Sequence, residues 1–206
     1  MDTSRIIYED NLRQLQITAK AIHETTNYGD FDIYIIMNTF EKLEHIALIK
    51  GDVKNKNNVL CRISSECLTG TVIDSSTCDC SQQINKSLEL IKNEGSGIFI
   101  YLRQEGRGHG LTSKIRALKF KNKGYNTFEA VENLGLASDI RKYFDASEII
   151  KYFGVRSIKL LTSNPQKAEE LIDNGVSISE LEPLNVLPTD KTIQHIIAKK
   201  NKGFKI

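Results

Sequence analysis

Three cysteines within fourteen residues, at positions 67, 78 and 80, constrain the fold of this chain more than any other feature. Cys78 and Cys80 form a Cys-x-Cys pair, which does not close easily into a disulfide but can bind one soft metal ion through two thiolates. Cys67 adds a third thiolate from upstream. Three protein ligands are the usual number for a catalytic zinc ion, whose fourth position is open for water. We therefore expect an open three-thiolate metal site.

Two other interpretations of the cysteines are three buried thiols that lie close together without a metal, and a closed structural zinc site. The closed site needs a fourth ligand, and Cys61 is the candidate. Residues Val59 to Ile63 have the pattern of a β-strand, which rises by about 3.3 Å per residue, so Cys61 would lie roughly 20 Å from Cys67 if the strand continued. This distance favours the open site.

The length and charge of the chain argue against several classes of function. The chain has 206 residues, enough for one large domain with a sizeable core, and a net charge of only +2. Such a charge gives no support to a nucleic-acid partner. No apolar run approaches the roughly 18 residues that span a membrane, and the first residues lack the apolar core of a signal peptide. Because the cysteines have metal-ligand spacing, we expect a cytoplasmic protein. From the charge and the short apolar runs, we expect neither a nucleic-acid partner nor a membrane partner.

Apolar patterns along the chain predict an α/β fold. Short apolar runs indicate strands, amphipathic runs indicate helices, and their alternation favours a sheet with helices on its faces. Residues 4 to 26 are compatible with either a helix or an extended segment. The predicted strands are Glu44 to Lys50, Val59 to Ile63, Gly97 to Leu102 and Ile158 to Thr162, and the predicted helices are Ser81 to Asn93, Leu111 to Phe120 and one that begins near Pro165.

Two of the predicted strands are each followed by a loop with the residues of a phosphate site. The first loop, residues 103–110, has three glycines that allow a close backbone approach, two arginines, and a helix N-terminus behind them. An ordinary glycine-rich turn with solvated arginines is the alternative. In the second loop Pro165 suits a first helical turn, and Lys167 adds a cation. Because ligands of open α/β sheets lie beyond the carboxyl ends of strands, the two loops and the thiolates together indicate a phosphorylated ligand near a metal.

Five segments of the chain, taken in order, resemble the GTP cyclohydrolase II family. The order and spacing of the family are kept from about residue 62 to residue 167, with a weaker match over roughly residues 175–200. The segments are Ser65-Glu66-Cys67-Leu68-Thr69-Gly70, Cys78-Asp79-Cys80, Arg103-Gln104-Glu105-Gly106-Arg107, Gly135-Leu136-Ala137-Ser138-Asp139-Ile140-Arg141 and Leu161-Thr162-Ser163-Asn164-Pro165.

The resemblance implies a three-layer α/β fold, in which helices cover both faces of a mixed β-sheet. Residues 41–206 would form the catalytic domain, and residues 1–40 would be an N-terminal extension without an assignment. A homodimer is also implied. The dihydroxybutanone-phosphate synthase domain that is often fused to this enzyme has no room in the chain, so we expect a single activity.

The activity that the resemblance implies is hydrolytic opening of the guanine imidazole ring of GTP. Formate and pyrophosphate leave, and 2,5-diamino-6-(5-phosphoribosylamino)pyrimidin-4(3H)-one, the first riboflavin precursor, remains. One zinc ion per chain would be bound by Cys67, Cys78 and Cys80, and Mg²⁺ would accompany the triphosphate.

The resemblance also assigns residues to the nucleotide. Asp139 matches the proposed proton acceptor, and Arg141 matches the residue proposed to attack the α-phosphate, although stabilising charge is physically easier for an unactivated guanidinium. On local sequence alone, these two residues would be an exposed charge pair at a helix start. We also expect Arg103 to hold the triphosphate together with Arg107. Positions that match nucleotide contacts are Arg62, Ile63, Ser64, Ser65, Glu66, Gln83, Glu105, Gly106, Arg107, Thr127, Thr162 and Lys167.

Four positions depart from the family pattern. Ser64 stands where the family usually has His, and Leu102 stands where it often has His. Thr77 stands where the family usually has Arg. Leu118 replaces a Tyr thought to assist the reaction, and leucine can neither donate a hydrogen bond nor relay a proton.

Three functions therefore stay open. The chain is a working GTP cyclohydrolase II, a divergent enzyme, or a non-catalytic zinc protein that binds a nucleotide or a partner. The divergent enzyme would stop at the formamidopyrimidine or act on another nucleotide, as in uracil breakdown. Retention of the three thiolates with Glu105, Asp139 and Arg141 argues against the non-catalytic protein.

Overall fold

One mixed β-sheet of eight strands forms the centre of the protein. The computed structural model describes residues 5–10, 13–184, 186, 193–201 and 203. In chain order the strands are β1 (Arg5–Glu9), β2 (Gln14–Thr25), β3 (Gly29–Asn38), β4 (Leu43–Lys50), β5 (Val59–Ser65), β6 (Gly97–Leu102), β7 (Ile158–Leu161) and β8 (Ile178–Glu182). Their order across the sheet is β1-β2-β3-β4-β6-β5-β7-β8.

The sheet has an antiparallel half and a parallel half. Strands β1 to β4 pair antiparallel with one another, and β4 pairs antiparallel with β6. Strands β6, β5, β7 and β8 are parallel neighbours. Residues 5–38, which received no assignment from the sequence, thus supply three strands of the same sheet. The division of the chain at residue 40 stays a prediction.

Helices follow the strands of the parallel half. They are α1 (Leu68–Thr71), α2 (Cys80–Glu94), α3 (Gly110–Lys121), α4 (Thr127–Glu132), α5 (Phe144–Tyr152), α6 (Pro165–Asp173) and α7 (Ile193–Asn201), and a 3₁₀ turn spans Glu105–Gly108. Local chemistry sets several ends. Gly95 ends α2 with a left-handed backbone at φ 76°, and the Asn164 side chain caps α6 by accepting from the Gln166 amide at 3.1 Å.

Alternating side chains of the central strands point to opposite faces of the sheet, as the strand period of two requires. On one face Cys61, Ile63 and Ile100 pack in a buried cluster that includes residues of α5 and α6. On the other face Leu60 and Phe99 belong to a second buried cluster with residues of α2. The sheet is therefore covered by helices on both faces, and the expected three-layer α/β fold is confirmed.

The predicted elements agree with the structure within two residues at each end. The segment at residues 4 to 26, for which helix and strand were both open, is extended where the structure describes it. In the described part of the chain, no helix is both long and apolar enough to cross a membrane.

Candidate active site

The carboxyl ends of β5, β6 and β7 open into one cavity of about 230 Å³. Because these parallel strands are neighbours, the segments that follow them meet at one edge of the sheet. Each of the three segments lines the cavity, as do residues of α2, α3 and α4. This location is the usual ligand site of an open α/β sheet.

Cys67, Cys78 and Cys80 converge at this edge. The sulfur of Cys78 lies 3.5 Å from that of Cys67 and 2.9 Å from that of Cys80, and all three sulfurs lie within 4.8 Å of one another. Gly70 leaves the space beside them, because a Cβ atom at that position would lie 2.7 Å from the sulfur of Cys78 and 3.0 Å from that of Cys67. Three soft ligands at this spacing can hold one metal ion.

The interactions among the three thiols favour deprotonation of one of them, Cys67. Hydrogen bonds from Cys78 and Cys80 lower the pKa of Cys67, and the ammonium of Lys114, 3.0 Å from its sulfur, adds to this effect. The negative sulfur of Cys67 in turn raises the pKa of Cys78 to about 11 and also raises that of Cys80. A bound divalent cation would replace the two remaining protons.

Cys61 is separate from this cluster. Its side chain is fully buried in β5 among the core residues of the other helical layer, and burial raises its pKa to about 12. The prediction that Cys61 is not a fourth ligand agrees with this position, since the group of potential ligands among the described residues contains only Cys67, Cys78 and Cys80.

Two buried cations lie at the base of the cavity. Arg62 donates to the Leu161 carbonyl at 2.8 Å and to the Gln83 side-chain oxygen at 2.7 Å, and its Nε has no hydrogen-bond partner among the residues that the structure describes. Lys167 donates to the Ile63 carbonyl at 2.6 Å. Burial lowers the pKa of Lys167, and the positive charge of Arg62 lowers it further. Both side chains are therefore placed to bind an anion.

Arg107 and Arg141 extend this positive region. The Arg107 guanidinium lies 3.7 Å from the ring centroid of Phe128, and burial together with the charge of Arg141 lowers its pKa to about 10. Arg107 sits in the 3₁₀ turn after β6, where its own φ is 59° and that of Gly106 is 61°. Two consecutive left-handed residues turn the chain sharply, so that the side chain of Arg107 faces the cavity from this loop.

Asp139 and Arg141 form a bidentate ion pair just before α5. Arg141 Nε donates to Asp139 Oδ1 at 2.9 Å and Nη2 donates to Oδ2 at 2.5 Å. Their side chains are only 18% and 17% exposed, so the interpretation as an exposed pair at a helix start is wrong. Burial raises the pKa of Asp139, but the hydrogen bonds from Arg141 outweigh burial and lower it overall. The side chain is a carboxylate at neutral pH.

Most residues that the sequence assigned to the site line the cavity, and three do not. Arg103 is partly exposed, pairs with Glu66 at 3.0 Å and lines a second cavity. Asp139 stands behind Arg141, and Cys78 stands behind its two partners. The assigned residues in the wall are Arg62, Ile63, Ser64, Ser65, Glu66, Cys67, Cys80, Gln83, Glu105, Gly106, Arg107, Thr127, Arg141, Thr162 and Lys167.

The wall also contains residues that the sequence analysis did not assign. Lys114, Ala117, Leu118 and Lys121 line the cavity from one face of α3. Ala117, Leu118 and Lys121 lie three, four and seven residues after Lys114, which is the spacing of one helical face. Once Leu118 is placed in the site, this spacing predicts that the two lysines face it too. Of the four departures, Ser64 and Thr77 also line the cavity, whereas Leu102 is a buried core residue.

A thiol cluster beside buried cations, at the carboxyl ends of parallel strands, is typical of an α/β enzyme that combines a metal with an anionic ligand. Residues 16–183 match the family model of GTP cyclohydrolase II. The chain therefore belongs to the GTP cyclohydrolase II family, which is a family of hydrolases.

Several relatives are similar to this protein over most of the chain. A GTP cyclohydrolase-2 of Picrophilus torridus is 44% identical over 164 residues, which are 80% of this chain and 85% of that protein. The riboflavin biosynthesis protein RibBA of Bacillus subtilis is 42% identical over 198 residues, which are 96% of this chain and 50% of that protein. This chain thus spans about half the length of its RibBA relatives. The crystal structure of RibBX, a two-domain 3,4-dihydroxy-2-butanone 4-phosphate synthase from A. baumannii, matches with a TM-score of 0.47 and 15% identity over 85% of this chain and 41% of that chain.

Proposed function

We propose that the protein opens the guanine imidazole ring of GTP by hydrolysis and releases formate and pyrophosphate. One observation carries this function: the thiol cluster, through Cys67 and Cys80, and the cations Arg62, Arg107 and Lys167 line the same cavity, so a bound metal and these cations can act on one polyphosphate ligand. Three water molecules are consumed. One breaks the bond between C8 and N9, a second releases the formyl carbon from N7 as formate, and a third displaces pyrophosphate from the α-phosphorus.

Cys67, Cys78 and Cys80 would hold one zinc ion, because their sulfurs lie within 4.8 Å of one another and three thiolates suit zinc. Zinc bound there would act as a Lewis acid and supply an activated water for the two ring hydrolyses. Around it, Lys114 keeps the thiolate of Cys67 in place, and the uncharged hydroxyls of Thr69 and Thr77 face the same part of the cavity.

Arg62, Arg107 and Lys167, together called the cation group, would bind the triphosphate. Arg62 and Lys167 are buried and Arg107 is half-buried, and no salt bridge joins any of the three to a carboxylate within the described part of the chain, so all three can pair with a bound anion. Magnesium would neutralise the remaining phosphate charge. Arg103 lines the second cavity and pairs with Glu66, which borders both cavities, so Arg62 replaces Arg103 in the proposed phosphate site.

Asp139 and Arg141 would act as a pair at the α-phosphate. Asp139 is ionised, and because it stands behind Arg141 and does not line the cavity, it would accept a proton from the attacking water only by relay through a second water. Arg141 lines the cavity and holds that carboxylate by two hydrogen bonds, so its guanidinium would stabilise charge that develops on the phosphate.

Leu118 supports a second candidate function, release of the formamide as the main product. Its side chain lines the cavity on α3 and offers no proton to the leaving nitrogen of the second hydrolysis. Lys121, one turn further along α3, also lines the cavity, and its ammonium donates to the Thr77 hydroxyl at 3.4 Å.

The test is to incubate the purified protein with GTP and with other nucleoside triphosphates, and to identify the products by mass. Formate and pyrophosphate from GTP are expected from the unmodified protein and from Cys61→Ser, each with about one zinc per chain. Cys80→Ser should lose both zinc and ring opening. Products from another nucleotide only, or zinc loss in Cys61→Ser, would contradict the function proposed here.

A further inference from the structure

Lys114 joins the thiol cluster to a neighbouring carboxylate. From α3, its ammonium lies 3.0 Å from the sulfur of Cys67 and 2.9 Å from Oε1 of Glu105. The Lys114 side chain is 19% exposed and that of Glu105 is 7% exposed. A buried ion pair of this kind is strong only when its remaining hydrogen-bonding groups are also satisfied.

Glu105 meets this condition, because both of its oxygens are engaged within the protein. Oε1 accepts from the Gly106 amide at 2.7 Å as well as from Lys114, and Oε2 accepts from the Leu68 amide at 2.6 Å. Leu68 follows Cys67 directly. The Lys114–Glu105 pair therefore holds Cys67 at two points, through its sulfur and through the next peptide group.

We propose that Lys114 and Glu105 are positioning residues for the metal centre, and that Glu105 acts on the Cys67 loop rather than as a nucleotide contact. This inference rests on the proposed metal site. Three thiolates carry one more unit of charge than a divalent cation can balance, so an ammonium against Cys67 stabilises the loaded centre. Groups that orient metal ligands in this way typically contribute about 10–100-fold to metal affinity.

The experiment measures how tightly the full chain holds zinc. Zinc-loaded protein is titrated with a chromogenic chelator, and the variants are Lys114→Met, Lys114→Arg, Glu105→Gln and the double variant Lys114→Met/Glu105→Gln. Lys119→Met is the matched control, because Lys119 is an exposed lysine of the same helix. Circular dichroism checks that each variant is folded.

We expect Lys114→Met and Glu105→Gln each to weaken zinc binding about 10–100-fold, and the double variant to be little weaker than either single one. Lys114→Arg keeps the charge and should recover part of the affinity. Cobalt-loaded Lys114→Met should show shifted d–d bands, since Cys67 is no longer held in place. Lys119→Met should match the unmodified protein in both measurements.

Unchanged zinc affinity and unchanged cobalt bands in folded Lys114→Met would overturn this inference alone. A Glu105→Gln variant that keeps its zinc but loses nucleotide affinity would also overturn it, because Glu105 would then be a nucleotide contact. If the unmodified protein holds no zinc, the proposed function and this inference both fail.

Discussion

Leu118 is the residue that most directly affects which product the cavity releases. Its side chain lines the wall on α3, between Lys114 and Lys121. The second ring hydrolysis needs a proton on the leaving nitrogen. A positioned proton donor typically raises the rate of such a step by about 10²–10⁴-fold. Leucine supplies none, so the formamide should accumulate while pyrophosphate is released at the ordinary rate.

We therefore predict that Leu118→Tyr raises the formate yield per GTP by about tenfold, because a phenol can donate where leucine cannot. Leu118→Phe is the control, since it adds the ring without the hydroxyl and should leave the yield low. Formate and pyrophosphate are measured over one time course. Equal, simultaneous release of both by the unmodified protein would contradict this expectation.

At the residue scale, the sequence was informative where functional residues lie close together in the chain. The three thiols were identified from their spacing, and their sulfurs do converge. Lys114 was missed because the contact with Cys67 joins residues 47 positions apart. Arg103 was assigned to the triphosphate because it directly follows β6. Its side chain instead pairs with Glu66 and lines a different cavity. A side chain's direction depends on the loop conformation, which no local pattern specifies.

At the element scale, the turn between β6 and α3 positions the cation group. Three of its residues, Gly106, Arg107 and Gly108, have a left-handed backbone, as does Gly110, the first residue of α3. Gly108 packs against the segment that carries Arg141, and a Cβ atom there would lie 2.8 Å from Ile140 Cγ1. The turn therefore fixes the distance between two parts of the proposed phosphate site.

Replacement of Gly108 by alanine should reduce both stability and nucleotide affinity. Backbone strain at φ 91° costs about 1–2 kcal/mol, and the clash with Ile140 adds about 1–3 kcal/mol. Gly110→Ala is the matched control, because φ is 81° there and no atom of the described residues lies within 4 Å of the added Cβ. Urea unfolding and nucleotide titration measure the two effects. Equal losses in both variants would show that contact with Ile140 is unimportant.

At the scale of the whole molecule, one buried polar cluster connects the antiparallel half of the sheet to α5. Asp145 in α5 accepts from the Asn38 side chain at 2.9 Å, contacts His45 Nε2 at 2.9 Å and pairs with Arg13 at 3.2 Å. His45 Nδ1 accepts from the Arg103 amide at 3.1 Å, which places the imidazole proton on Nε2, toward Asp145. The cluster thus links β3, β4, the residue before β2, the helix α5 and the loop after β6.

Asp145→Asn should cost about 2–3 kcal/mol of unfolding free energy at pH 7, since a buried charged hydrogen-bond acceptor is lost. Burial raises the pKa of Asp145, but hydrogen bonds from His45 and Asn38 lower it overall. The contribution of the carboxylate is therefore complete above the unfolded pKa of about 3.9 and is lost as the pH falls through the lower folded value. The difference between the two proteins should shrink below about pH 4.

The control for Asp145 is Asp32→Asn, which breaks an exposed pair with Lys20 in the same half of the sheet. Exposed pairs contribute about 0–1 kcal/mol, so this variant should remain close to the unmodified protein at every pH. Denaturant unfolding at several pH values gives both comparisons. A loss in Asp32→Asn as large as that in Asp145→Asn would show that burial of the cluster is not the cause.

The strands and helices of the parallel half, the thiol cluster and the family could all be predicted from the sequence, because each depends on spacing within a short stretch of chain. The order of β4, β6 and β5, the addition of β1 to β3 to the same sheet, and the contacts of Lys114 with Cys67 and Glu105 are visible only in the folded structure. These arrangements depend on strand order and on contacts between distant residues. Their free energy comes from burial and pairing in the assembled fold, which local periodicity does not encode.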